Sequence, residues 1–185
     1  MVENKDLLNT FIVQLSKFGD KLGTCFIQLP PYFKVSNLPY LESFLKIWPQ
    51  EMSLAIELRD EGIHKNSDDF NKYFDLLTKF GAIPLITDVS GRRDLLHMAV
   101  NSEKVFIRWV GNGLHDTDYS RLIEWKSRLV SWIEKGVQEV YFMLHQPDNE
   151  KTPEIAAYFD ELFADFKYID HRGPKIIKEI PNLFS

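Results

Sequence analysis

Five short apolar runs, each turning polar at its end and each followed by a stretch with helical spacing, constrain this chain more than any other feature. They are Thr24 to Pro30, Ser53 to Asp60, Ala82 to Asp88, Lys104 to Gly111 and Gln138 to Gln146. Each is β-branched or aromatic over its middle, which reads as a strand. The connections are too long for hairpins, so the alternation argues a parallel sheet with right-handed helical crossovers. The expected fold class is α/β, a partial TIM (β/α) barrel of about five parallel strands alternating with helices.

The run SLAIELRD sets the phase. Side chains alternate along a strand, so Leu54, Ile56 and Leu58 share one face while Ala55, Glu57 and Arg59 share the other. A greasy face toward helices and a small-then-charged face toward the barrel interior is what a barrel strand needs, because barrel chemistry sits at the strands' C-terminal ends. By the same phase, Phe26 pairs with Gln28, Pro84 and Ile86 with Asp88, Phe106 with Arg108, and Tyr141 and Met143 with His145. The expected site is therefore Gln28, Arg59, Arg108 and His145 as ligand-binding groups, with Glu57 and Asp88 as catalytic candidates. Arginine offers a planar fork suited to phosphate or carboxylate, and a carboxylate tuned by burial and neighbouring charge can serve as a general base.

The spacing predicts helices over Asn4 to Phe18, Leu38 to Trp48, Phe70 to Phe80, Tyr119 to Lys135 and Pro153 to Phe166, with a short one at Asp94 to Val100. The first is expected to face the core, the one from Tyr119 to be longest, and DEGIHKNSDD to be a polar connection. Pro30-Pro31 cannot continue a ladder and fixes a stiff exit from the first strand. Tyr32 and Phe33, just beyond, are candidates to line a site. Gly111 to Asp116 reads as a flexible loop, and residues 168–185 as a weakly patterned tail of one domain spanning 1–185.

The net charge of −5 argues against general attraction to nucleic acid or anionic membrane, and 44% hydrophobic residues is ample for a packed core. No apolar run approaches the roughly 18 to 20 residues a bilayer span needs. The first ten residues lack a secretory pattern, so a cytoplasmic location is the expectation. The single cysteine, Cys25, lies in an apolar strand and reads as a small hydrophobe.

Gln28-Leu29-Pro30-Pro31, Glu57-Leu58-Arg59, Thr87-Asp88, Phe106-Ile107-Arg108 with Gly111, and the Tyr141-Phe142-Met143 strand before Gln146-Pro147 form an ordered set, from about Leu22 to about Pro153. As a set they resemble the domain of unknown function 72 (YecE-like) family. The resemblance implies a TIM barrel with these motif residues at its mouth, and it implies no particular activity or cofactor. His145-Gln146 departs from the Asn-type residues the family carries there. The family also has further strands ahead of the QLPP strand, and a complete barrel takes about 250 residues. The resemblance thus implies an N-terminally shortened barrel, either a fragment or shortened product or one whose missing wall another copy or another chain supplies, and its open edge would favour self-association.

Other chemistry finds less support. A metal reading would draw on Glu57, Asp88, His145 and His115, which lack the compact spacing of a dedicated site, so no metal is expected. His64, His97 and His171 read as solvated bystanders. No GxSxG elbow is present, and Gly111-x-Gly113 lacks a dinucleotide fingerprint. Trp48, Trp109, Trp125 and Trp132 fall on apolar faces and read as core. Two functional classes remain: a barrel enzyme acting on an anionic small molecule, and a non-catalytic ligand- or partner-binding module whose charges form a structural network. Whether Glu57 and its neighbours hold the fold or serve a ligand distinguishes them.

Overall fold

The computed structural model describes residues 5–166 together with Ile169, His171, Gly173 and Pro174. Apart from these four, the tail expected over 168–185 lies outside the described residues. The strands are β1 (Cys25–Gln28), β2 (Leu54–Glu57), β3 (Ile83–Val89), β4 (Lys104–Val110) and β5 (Glu139–His145). They form one five-stranded sheet in chain order, β1-β2-β3-β4-β5. Parallel strands alternating with helices in that order are the arrangement of a partial α/β barrel. The helices are α1 (Lys5–Ser16), α2 (Leu38–Leu45), α3 (Glu61–Lys65), α4 (Ser67–Lys79), α5 (Asp116–Glu134) and α6 (Thr152–Leu162).

The chain divides into two compact units, one of Met1–Ile107 with Val137–Tyr141, the other of Arg108–Gly136 with Phe142–Ser185. In the first, the predicted phase of β2 holds. Leu54, Ile56 and Leu58 pack into a cluster with Leu41, Leu45, Trp48, Tyr73 and Leu77, which lie on α2 and α4 or close by. The Tyr73 hydroxyl donates to the Ile56 carbonyl at 2.8 Å, so the phenol brings no unsatisfied group into that core. Ala55 occupies the opposite face with Ile83, Leu85 and Phe106, and Tyr141 packs against them. The Phe106 ring lies 5.6 Å from Phe26 and 5.5 Å from Tyr141.

β3 corrects the predicted phase by one residue. Ile83 and Leu85 belong to the Ala55 face, so alternation gives Thr87 that face and not the expected Pro84, Ile86 and Asp88. The strand is buried on both sides, and a continuously apolar run carries no alternation from which to read a phase.

Three further expectations change. The polar connection after Arg59 contains α3, because the Asp60 side chain accepts the Ile63 N–H at 2.9 Å and caps a short helical turn. The helix expected at Asp94 to Val100 is only a 3₁₀ turn, Arg93–Leu95, followed by extended chain. α1 buries no residue fully: Leu8, Ile12 and Leu15 rest on the core, while Leu7 and Phe11 stay exposed.

The second unit contains α5, at 19 residues the longest helix described and expected as such, and α6. Its interior is aromatic: Trp125 meets Phe142 edge-on at 5.7 Å, and Phe142 lies 4.4 Å from Phe159. Trp48, Trp109 and Trp125 are buried as expected.

Candidate functional site

The parallel register sets Gln28 beside Glu57 and Glu57 beside Leu85. Paired strands lie about 4.8 Å apart, so side chains at one level on one face touch. Glu57 is fully buried, a position carboxylates take only when hydrogen-bonded. Its Oε2 accepts from Gln28 Nε2 at 2.8 Å, and its Oε1 from the Thr87 hydroxyl at 3.1 Å. The carboxylate thus ties together the C-terminal ends of β1, β2 and β3. Gln28 itself is exposed, so the network reaches solvent through its amide. Thr87 is a member the sequence reading missed; the signal was the Thr87-Asp88 pair, once the phase of β3 is corrected.

Asp88, one residue on, is buried and lies 3.6 Å from the Arg93 guanidinium. Arg59 is half-buried and lines a groove of about 340 Å³ with Pro31, Lys34, Asp60, Glu61, Gly62, Arg92 and Leu95. Its guanidinium makes no hydrogen bond or ion pair among the described residues. Lys34 pairs with Asp60, and Arg92 reaches Glu61 at 3.1 Å and Asp94 at 3.1 Å. The Lys34 contact and the Ile63 N–H hold the Asp60 carboxyl below its usual range against the opposing effect of its burial. Pro31 and Lys34 flank the two residues expected to line a site. Phe33 instead joins the core, and Tyr32 points to solvent.

His64 and His97 are not solvated bystanders. Their rings stack 5.8 Å apart, with Phe70 against both. His64 Nε2 contacts the Leu58 carbonyl at 3.2 Å and His97 Nε2 the Leu85 carbonyl at 3.1 Å. Burial pushes the His97 imidazole down to about 4, with the neighbouring His64 adding to the effect. His64 is lowered for the same first reason.

The second unit holds the remaining predicted residues, Arg108 on β4 and His145, exposed at the end of β5. Its own buried carboxylate is Asp118, which the sequence reading did not single out. Asp118 Oδ2 accepts the N–H groups of Asn112 at 2.7 Å and Leu114 at 3.1 Å, and Arg121 Nη1 lies 3.4 Å from Oδ1. Arg121 also lies over the Trp109 ring at 4.5 Å, a cation–π contact. Fully buried Gln146 donates to Asp118 at 3.3 Å and accepts the Gly113 N–H at 2.9 Å. The loop from Gly111, expected to be flexible, is therefore pinned along its backbone. His115, weighed as a metal ligand, uses its Nδ1 to accept the Thr117 N–H at 3.2 Å, capping α5. Among the described residues no three His, Cys, Asp or Glu side chains gather as a metal site requires, and no helix is long and apolar enough to cross a membrane.

Comparison with known proteins agrees with this fold. The chain is 23% identical over 169 residues to the UPF0759 protein YecE of Escherichia coli strain K12, covering 81% of this chain and 61% of that relative, and the O157:H7 protein matches equally. It thus spans about three-fifths of the length of the curated relatives it matches. A crystal structure of a DUF72 family protein from Enterococcus faecalis V583 superposes with a TM-score of 0.70 at 15% identity, over 88% of this chain and 70% of that one. A second structure of the same protein gives 0.69 at 13% identity, over 95% and 71%. The profile of the family described as Protein of unknown function DUF72 matches residues 1–176, well beyond the Leu22 to Pro153 span of the motifs, and the chain belongs to that family.

Proposed function

We propose that the chain binds an anionic small molecule at the C-terminal ends of β1 to β3, with Arg59 meeting the ligand's charge and Glu57 moving a proton. The observation that carries this is the half-buried Arg59 guanidinium, which lines a polar groove without a partner among the described residues. Holding a guanidinium there in the absence of a counter-ion costs solvation that a ligand anion would return. Glu57 supplies the second element, since barrel active sites lie at the C-terminal ends of the strands and a positioned carboxylate there can act as a general base. Asp88 has a cationic neighbour in Arg93 and is the weaker candidate for the base.

A second reading, a non-catalytic module with a structural charge network, is favoured by the way Glu57 joins three strands through Gln28 and Thr87. A panel of phosphorylated and carboxylated metabolites, scored for thermal stabilisation and for turnover by NMR, separates the two. The first reading expects a stabilising anion whose effect disappears in Arg59→Ala, and a turnover lost in Glu57→Gln while the anion still binds. Stabilisation that survives Arg59→Ala removes Arg59 from the site. A Glu57→Gln protein that unfolds, with no anion stabilising the parent, assigns the network to structure.

A further inference from the structure

Resting on the reading of Arg59 above, we propose that its groove takes a phosphate monoester, held by Arg59, Lys34 and Arg92, with Glu61 as the resident anion that the phosphate displaces. The three cations come from three separate segments. Lys34 follows the stiff Pro30-Pro31 exit from β1, Arg59 lies two residues beyond β2, and Arg92 follows the Gly91 turn after β3. Gly91 has φ of 78°, a left-handed conformation that glycine adopts without strain, and this turn presents Arg92 to the groove.

The donor inventory favours phosphate over carboxylate. A guanidinium carries five N–H donors and an ammonium three. Among the described residues Arg59 uses none, Lys34 engages Asp60, and Arg92 engages Asp94 and Glu61 through Nε and Nη2 alone. A carboxylate is planar and is satisfied by one guanidinium fork. The terminal oxygens of a phosphate monoester accept from several directions, which suits donors converging from three segments. The groove's volume of about 340 Å³ is at the small end for ligand sites, and Pro31 and Leu95 give it apolar walls for the esterified part.

The carboxylates around the groove are not equivalent. Asp60 is buried and committed, capping α3 and holding Lys34. Glu61 is exposed and bridges Arg92 at 3.1 Å and Lys65 at 2.9 Å. It therefore occupies the Arg92 donors from the solvent side, and surface pairs of this kind are weak enough to exchange. Removing its charge takes away one of the two acceptors on Arg92, Asp94 keeping the other, and removes a repulsion toward the incoming anion.

Calorimetric titration of the full chain with inorganic phosphate at low ionic strength, and with acetate in parallel, tests this. Saturable 1:1 phosphate binding is expected, weakened about tenfold or more in Arg59→Ala, as loss of charge-assisted hydrogen bonds predicts. Glu61→Gln, a substitution at an exposed side chain, is expected to tighten phosphate about threefold. Phosphate binding indifferent to both Arg59→Ala and Glu61→Gln, or weakened by Glu61→Gln, overturns the proposal. Arg59-dependent acetate binding with no phosphate binding overturns the phosphate class while the broader anion reading stands. Arg59-dependent phosphate binding in a protein whose turnover ignores Glu57 supports the groove and removes only the proton-transfer role.

Discussion

Two carboxylates, Glu57 in the first unit and Asp118 in the second, are both fully buried, yet their described partners differ in kind. Asp118 is gripped by the backbone N–H groups of Asn112 and Leu114 in its own loop, with the side chains of Arg121 and of Gln146, 28 residues away, adding to them. Glu57 accepts from side chains, Gln28 and Thr87, that lie about thirty residues away on neighbouring strands. Backbone donors cannot leave without unmaking the loop, whereas an exposed glutamine amide can turn aside and offer the carboxylate to something else. Asp118 is thus fixed in part by the backbone of its own loop, whereas the described partners of Glu57 are side chains on neighbouring strands.

The largest expected effect probes the architectural side. A Cβ on Gly111 would come within 2.3 Å of the Gln146 amide nitrogen, and that side chain is locked between Gly113 and Asp118. Gly111→Ala should cost more than about 4 kcal/mol by displacing a buried hydrogen-bonded group, seen as a large fall in thermal midpoint. A near-normal midpoint would show that the Gln146 bracket yields easily. Asp118→Ala follows, at about 3 to 5 kcal/mol, because it removes the carboxylate beside the buried Arg121 guanidinium and the acceptor of the Asn112 and Leu114 N–H groups. Urea unfolding should show it.

Acid should divide the two regions. With the folded His97 value near 4 and an ordinary imidazole near 6.5, the unfolded chain takes up the proton first, so the cost appears as pH falls. Stability should be flat above pH 6.5 and drop by about 3 kcal/mol by pH 4. His97→Gln should flatten this slope, and amide exchange should show α3 and the ends of β2 and β3 loosening before the Gly111 loop. An acid response unchanged by His97→Gln would move the titrating group elsewhere. The smallest expected effect is that of Glu57→Gln, about 1 kcal/mol by chemical denaturation, since an amide of the same shape keeps one acceptor. A loss as large as that of Asp118→Ala would erase the distinction between the two carboxylates.

The strands and most helices were legible because their periodicities are strong and their connections long. The face of β2 was legible too, because Ala55 and Glu57 alternate with Leu54 and Ile56. The phase of β3 was not, since a strand buried on both sides has no polar alternate, and Thr87 was missed with it. α3 was hidden in a polar run whose signal was a single capping residue, Asp60. Arg59 was found as a residue, but its partners across the groove come from turns, where no periodicity connects Lys34 to Arg92. The roles of Asp118 and Gln146 depend on contacts 28 residues apart, which one sequence does not display.

The strand order bears on how the sheet is made. Because β1 pairs with β2 and β2 with β3 in the order of synthesis, each strand leaving the ribosome finds its neighbour already waiting, and none must be threaded later between two others. Assembly can advance one strand at a time in chain order, each new strand adding to the side of the sheet that the previous one left open.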